Sequence, residues 1–220
     1  MEHTAIRNSQ DKANCPVISV QSKILGPKQD LSIKEFANFF GVIFLQKYYF
    51  QSYSIYKEAS YLAYHSPFRK NLPSEKELKI IEWVLYKNHS SWKDDFIIKW
   101  INKKIGWGLF ANRDIEPGEI VGEYLGEMIE ADSSLKSDYT FYYSLSSKKG
   151  SAYFIDSESS GNHTRFLNHS SNPNAVACIM YFNNLLHQVF FTIKPVSKGE
   201  EVTWDYGPLF WMGREPPAII

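Results

Sequence analysis

The sequence predicts an α+β protein: a helical N-terminal region followed by a loop-rich β domain of short strands. Two observations carry this reading. Within the first 90 positions, apolar and aromatic residues recur at helical spacing behind two Ser-x-x-Glu starts. From about residue 94 the texture changes to short runs rich in β-branched and aromatic residues, separated by turns.

Composition bounds the rest. The 220 residues are 44% apolar and 16% aromatic, ample for one packed domain with a sizeable extension. Charged residues make up 22%, which argues against global disorder. Cys15 and Cys178 form no CxxC, so a disulfide framework or Cys-rich zinc site is excluded and a reducing compartment is the natural reading. The six His form no HxxxH pair, and no metal is expected. The opening MEHTAIRNSQDKANCP is polar and reads as no signal peptide. The most apolar run, FANFFGVIFL (Phe36 to Leu45), is about half the roughly 20 residues of a membrane span, so no membrane partner is expected. A cytoplasmic location follows, and export by other routes stays open. Net charge is zero, but residues 1–95 hold 13 Lys and Arg against 10 Asp and Glu, and residues 96–220 hold 11 against 14. The acidic second half reflects solvated surface carboxylates or a basic partner. Direct nucleic-acid binding is not expected.

Taken in order, residues 1–30 read as a flexible polar N-terminus and 31–93 as the helical region. Ser32-Ile33-Lys34-Glu35 is a capping box, in which each end residue satisfies a free N–H of the other. The apolar stretch that follows, to about Tyr64, is broken only by Gly41 and reads as one long helix or two shorter ones. Phe36, Phe39, Phe40, Ile43 and Phe44 supply the helical period. Ser66-Pro67 and Leu72-Pro73 punctuate. Ser74 to Glu77 is a second capping box, opening a helix with Leu78, Ile81, Trp83, Val84 and Leu85 on its apolar face and an end near Asn88.

Six strands are expected in residues 94–207: Phe96 to Ile101, Gly118 to Gly126, Tyr139 to Leu145, Ala152 to Asp156, Ala175 to Phe182 and His187 to Ile193. Turns at Glu116-Pro117-Gly118, Ser146 to Gly150, Asn183-Asn184 and Lys198-Gly199 separate them. Asn183-Asn184 fits a hairpin tip.

The hexapeptide GWGLFA, Gly106 to Ala111, matches the relaxed dinucleotide pattern G-x-G-x-x-[GA]. A dinucleotide fold needs those glycines between a strand and a helix, but Pro117-Gly118 would end any helix here and β-type residues follow. The glycines then serve a tight turn or the close approach of backbone to a ligand.

Three further stretches decide between these: IVGEYLGEMI (Ile120 to Ile129), FIDSESSGNHTRFLNHSSNPNA (Phe154 to Ala175) and GEEVTWDYG (Gly199 to Gly207). With GWGLFA ahead of them, in this order and spacing, they resemble the SET-domain protein-lysine methyltransferases. The match runs from about Asp94 to Trp211 and leaves residues 1–90 uncovered. The resemblance implies a SET domain over 94–207 with a knot-like C-terminal segment, and a tail, 208–220, that caps the site. It implies S-adenosyl-L-methionine as cofactor and a basic protein, histone or histone-like, as substrate. By resemblance Tyr206 stands where cofactor and lysine amine meet, and Tyr124 lines the same site. Asn168 and the His169 backbone hold the cofactor's amino-acid and adenine parts. The Gly106, Trp107 and Gly108 backbone faces its amino-acid end, and Tyr139 borders it. Arg165 contacts cofactor or pins the loop. Asn162, in a Gly-Asn pair the family shares, is structural. No metal is required, and no motif supports a Ser–His nucleophile at His169 to Ser171.

The sequence also departs from the family. Where many members carry Cys after Asn-His-Ser it has Ser171, and the tail GPLFWMGREPPAII has no Cys. The zinc-bound cap is absent, leaving Phe210 and Trp211 to stack over adenine, to wall the lysine channel or simply to pack on the core. Trp204 occupies the position that governs how many methyls are added. It lacks a phenol hydroxyl but is bulkier than Phe, and multiple methylation is the expectation. The short zinc-free build resembles SET proteins of intracellular bacteria, which implies a bacterial effector secreted into a host cell and nuclear as the alternative to a cytoplasmic enzyme. The helical region packs on the SET domain, forms a homodimer or binds substrate. Two other functions compete: an inactive SET module that binds basic tails, and an interaction protein whose helical half does the work.

Overall fold

The computed structural model describes residues 16–22, 26–69, 74–86, 92–131, 137–145, 150–208, 210–211 and 214. Residues 1–15, Leu72-Pro73, most of the turn at Ser146 to Gly150, most of the tail, the side chains of Trp83, Val84 and Leu85, and the helix end near Asn88 lie outside the described residues. In chain order the elements are β1 (Pro16–Ser22), β2 (Gly26–Ser32), α1 (Ile33–Phe40), β3 (Ile43–Phe44), β4 (Tyr49–Phe50), α2 (Tyr53–Tyr64), α3 (Glu75–Tyr86), β5 (Phe96–Asn102), β6 (Gly106–Ala111), β7 (Ile120–Glu123), β8 (Glu127–Glu130), β9 (Thr140–Leu145), β10 (Ala152–Asp156), β11 (Ser160–Gly161), a 3-10 turn (His163–Phe166), β12 (Asn168–His169), β13 (Ala175–Phe182), β14 (Leu185–Thr192) and β15 (Thr203–Trp204). This is the expected α+β class.

Among the described residues five small sheets surround the core, ordered β2-β1-β5-β6, β4-β8-β10-β9, β11-β3, β12-β15 and β13-β14-β7. The expected strands all form, with one break. Of Gly118 to Gly126 only Ile120–Glu123 is strand (β7), and β8 starts beyond the expected run at Glu127. Asn183 and Asn184 do form the β13–β14 tip, at φ 49° and 60°, values that asparagine tolerates better than most residues. All eight residues of β14 are buried. On one side of the β13–β14 hairpin, Ile80 of α3 packs with Met180, Phe182, Val189 and Phe191.

Both capping boxes are present: Ser32 and Glu35 at the start of α1, Ser74 and Glu77 at the start of α3. Of the two readings to Tyr64, one long helix or two shorter ones, the structure has two helices, with two short strands between them that neither reading included. Gly41 ends α1 at φ 67°, in the left-handed region where glycine bears no Cβ penalty. Ser52 then caps α2. Between them β3 pairs with β11 and β4 with β8, so the aromatic run between the helices is spent on sheet pairing.

The flexible 1–30 reading is also corrected where the structure is described. β1 lies inside a sheet, antiparallel to β2 and parallel to β5, with Ile18, Ser19 and Val20 fully buried. Its Val-Ile-Ser-Val core has strong β propensity. β2 has a polar, exposed run and exists as a strand because β1 supplies its partner. The boundary at 94 therefore cuts a sheet: β1 and β2 belong to the same layer as β5 and β6.

The C-terminal stretch, the one the resemblance makes knot-like, runs along β6 and then beside β12. Ala111 N–H donates to Glu200 O and Val202 N–H to Leu109 O, after which Thr203 and Trp204 pair in parallel with Asn168 and His169. Among the described residues no helix is long and apolar enough to cross a membrane.

Candidate active site

These sheets enclose a cavity of about 960 Å³, walled by aromatic rings with a few polar groups among them. Of the residues singled out in the sequence, Gly106, Trp107, Tyr124, Tyr139, Arg165, Asn168, Trp204, Tyr206 and Phe210 all line it.

Tyr124 follows β7 and is held on several sides. Its N–H donates to Gln188 O at 2.8 Å, and its hydroxyl donates to Tyr139 O at 2.6 Å. The preceding residue, Glu123, is buried. Its carbonyl accepts from the Asn162 amide at 2.9 Å and the Thr164 hydroxyl at 3.2 Å, and its carboxylate lies 2.6 Å from His187 Nδ1. Asn162 also caps the 3-10 turn, accepting from Thr164 N–H at 3.0 Å. It ties the turn before Asn168 to the strand before Tyr124.

Tyr206 is fixed at both ends. Its N–H donates to His169 Nδ1 at 3.2 Å and its hydroxyl to Leu167 O at 2.8 Å. Burial pushes both the Tyr206 and Tyr124 phenols well above their ordinary range. Both are therefore neutral hydroxyls at physiological pH, each with its proton directed to a main-chain carbonyl.

Asn168 donates from one amide to Trp107 O at 3.2 Å and to Glu201 Oε1 at 2.7 Å. Burial raises the Glu201 carboxyl, and the Asn168 bond partly offsets that. This contact explains Gly108. A Cβ there would meet Glu201 Oε1 at 2.5 Å and Asn168 Nδ2 at 3.0 Å. Gly108 makes room for the Asn168–Glu201 pair, while Gly106 stands on the cavity wall at φ 85°.

Arg165 pins its loop and also lines the cavity. Its Nε donates to Ser157 O at 2.8 Å and its Nη2 to Glu158 O at 3.3 Å, which pins the loop after β10. Its guanidinium lies 4.1 Å over the Tyr139 ring and lines the cavity. Burial lowers its pKa, and among the described residues it makes no ion pair with a carboxylate. Trp204 stacks on Phe141 at 5.3 Å and 9° and meets Phe190 edge-on at 5.0 Å, so its indole is held. Phe210 packs on Tyr206 at 4.6 Å, and Arg214 lies 4.2 Å over Phe210 while pairing with Asp138 at 2.7 Å.

His169 and Trp211 do not line the cavity. Trp211 packs edge-on against the His169 ring at 4.8 Å and lies parallel to the Tyr206 ring at 6.3 Å. The His169 side chain serves Tyr206, and its backbone is what pairs β12 with β15. Sequence reasoning missed Phe39, Phe40, Phe141, Asp138 and Glu201. Glu201 carried a signal, as a carboxylate next to the apolar Val202 in a strand-like run. The phenylalanines carried none beyond core periodicity. Among the described residues no cluster of three or more His, Cys, Asp or Glu could hold a metal ion.

Comparison with known proteins agrees with this geometry. The SET domain family model matches residues 106–207. Histone-lysine N-methyltransferase EHMT1 of Homo sapiens is 33% identical over 117 residues, covering 50% of this chain and 9% of that protein. Histone-lysine N-methyltransferase Set2 of Drosophila melanogaster is 36% identical over 110 residues, covering 47% of this chain and 5% of that protein. This chain thus spans less than a tenth of the length of either relative. The crystal structure of ATXR5 in complex with histone H3.1 mono-methylated on R26 superposes with a TM-score of 0.65 at 14% identity, over 80% of this chain and 86% of that one, which shows a shared fold. Residues 106–207 thus match the SET domain family, and over this stretch the chain is similar to the histone-lysine N-methyltransferases.

Proposed function

We propose that this protein is a protein-lysine N-methyltransferase that transfers methyl from S-adenosyl-L-methionine to a lysine amine of a basic protein, a histone or histone-like protein. One observation carries the reading: two buried phenols, Tyr124 and Tyr206, open on one aromatic cavity, each with its proton already given to a carbonyl. The histone-lysine methyltransferase relatives support it.

The donor set fits the cofactor. Arg165 is a cavity cation with no carboxylate partner among the described residues, suited to the methionine carboxylate, and the aromatic walls suit the adenosine and the sulfonium. When bound, the cofactor supplies an activated methyl on a good leaving group. The chain's part is to position and dehydrate. A dry aromatic channel disfavours the lysine ammonium, so its proton leaves to solvent before attack. The phenols are too basic to exist as phenolates at neutral pH, so neither serves as a general base. Their oxygens instead accept from the amine N–H groups and aim its lone pair. The amine lone pair would then meet the methyl that the bound cofactor would supply, with the thioether as leaving group. Trp204, held by Phe141, offers no hydroxyl to retain a water or restrain the amine, and this supports addition of more than one methyl.

The test is methyl transfer to purified histones and to a basic bacterial protein mixture, read by mass spectrometry. Wild-type protein is expected to yield methyl-lysine that proceeds to higher states on long incubation. Tyr206→Phe should lose roughly 100-fold in rate while still binding S-adenosylhomocysteine. Cofactor binding with no transfer to any substrate would leave a tail-binding module, and monomethyl-lysine alone would refute the role given to Trp204.

A further inference from the structure

We infer that α1, which lies outside the SET domain, is part of the cofactor site: Phe39 and Phe40 close the cavity wall on its Gly106–Trp107 side. The inference rests on S-adenosylmethionine occupying that cavity. Both rings line it. Phe40 meets Trp107 edge-on at 5.3 Å and Phe166 at 4.8 Å, and Phe39 meets Trp107 at 5.5 Å. Trp107 is the residue whose carbonyl anchors Asn168. The N-terminal helix therefore braces one side of the ring whose backbone holds the Asn168 loop.

The helix is built to hold these rings in place. Phe36 is fully buried against Phe44 and Phe166 and, one turn back on the same side of the helix, packs on Phe40 at 4.8 Å. The capping box fixes one end and Gly41 the other. Immediately beyond, Ile43 N–H donates to Ser159 O at 2.9 Å and Leu45 N–H to Gly161 O at 2.8 Å, which locks the helix exit onto the SET domain. Phe39 nonetheless stays 38% exposed while lining a cavity. Its ring packs edge-on against Phe40 and Trp107, and the rest of it is uncovered. A ligand with apolar surface in the cavity would cover part of that ring and remove aromatic area from water.

The experiment titrates the full chain with S-adenosylhomocysteine by calorimetry, comparing wild type, Phe39→Ala, Phe39→Leu and, on the outer face of α2, Tyr64→Ala. Phe39→Ala is expected to bind roughly tenfold more weakly, and Phe39→Leu to fall between it and wild type. Tyr64→Ala is expected to bind like wild type. Apo melting temperature should change little in Phe39→Ala, while the rise caused by ligand shrinks. Hydrogen exchange on the wild type needs no variant: amides of residues 33–41 should slow when ligand binds. Unchanged affinity in Phe39→Ala, or unchanged exchange in α1, overturns the inference alone. Wild-type protein that binds no S-adenosylhomocysteine overturns the methyl-transfer reading and the inference with it.

Discussion

The N-terminal segment and the SET domain are held together by opposite kinds of contact. In the SET domain the long pairings are local: β5 with β6, β9 with β10 and β13 with β14 are strand pairs adjacent in sequence. In the N-terminal segment most pairings reach far along the chain. β1 takes its second partner from β5, β3 from β11 and β4 from β8. Strands of two residues, such as β3 and β4, bury too little to persist alone, so they exist because the SET domain offers an edge. A segment that looks like a separate helical module is in fact the outer layer of one core.

Three experiments press on that contrast, from the largest effect down. Deleting residues 1–90 should abolish cooperative unfolding altogether. It strips β1 from the middle of its sheet and removes Ile18, Val20 and Phe36, each fully buried. A soluble remainder with a sharp melting transition would restore the two-module view. Phe36→Ala should lower stability by about 3–5 kcal/mol in urea unfolding, because it leaves a cavity where three aromatic rings converge. A loss within about 1 kcal/mol would mean that α1 is loosely docked.

The smallest effect concerns the SET side. Burial raises the Glu201 carboxyl, so the folded state holds that proton more tightly than the unfolded chain does. Stability then falls as pH rises from the ordinary carboxylate range through the raised value, and the penalty is complete above it. Glu201→Gln keeps an acceptor for Asn168 and removes the titration. Its stability relative to wild type should therefore climb as pH rises above the ordinary carboxylate range in chemical unfolding. A difference constant across that window would mean that Glu201 is not desolvated in the folded state.

The two regions also differ in how far the sequence reveals them. SET strands announced themselves through β-branched runs between turn residues, and Asn183-Asn184 named its own hairpin. Tyr124, Asn168 and Tyr206 were legible because they sit in dense motifs whose order is itself informative. In the N-terminal segment the capping boxes were equally clear, since a cap depends on residues three apart. The aromatic run between Phe36 and Tyr64 was not. Its apolar residues suit a helix face and a buried strand alike, and no local signal says which partner will come.

The sequence by itself determined the helix starts, the strand-and-turn rhythm after residue 94 and the motif residues that line the cavity. Each of these depends on chemistry within a few positions along the chain. Tertiary structure alone decided that polar β2 is a strand, that Gly108 makes room for Glu201 and Asn168, that Trp211 backs His169, and that Phe39 and Phe40 face the cavity. Those outcomes depend on which distant segments meet. The free energy that brings them together is the burial of a shared core, which no short window of sequence contains.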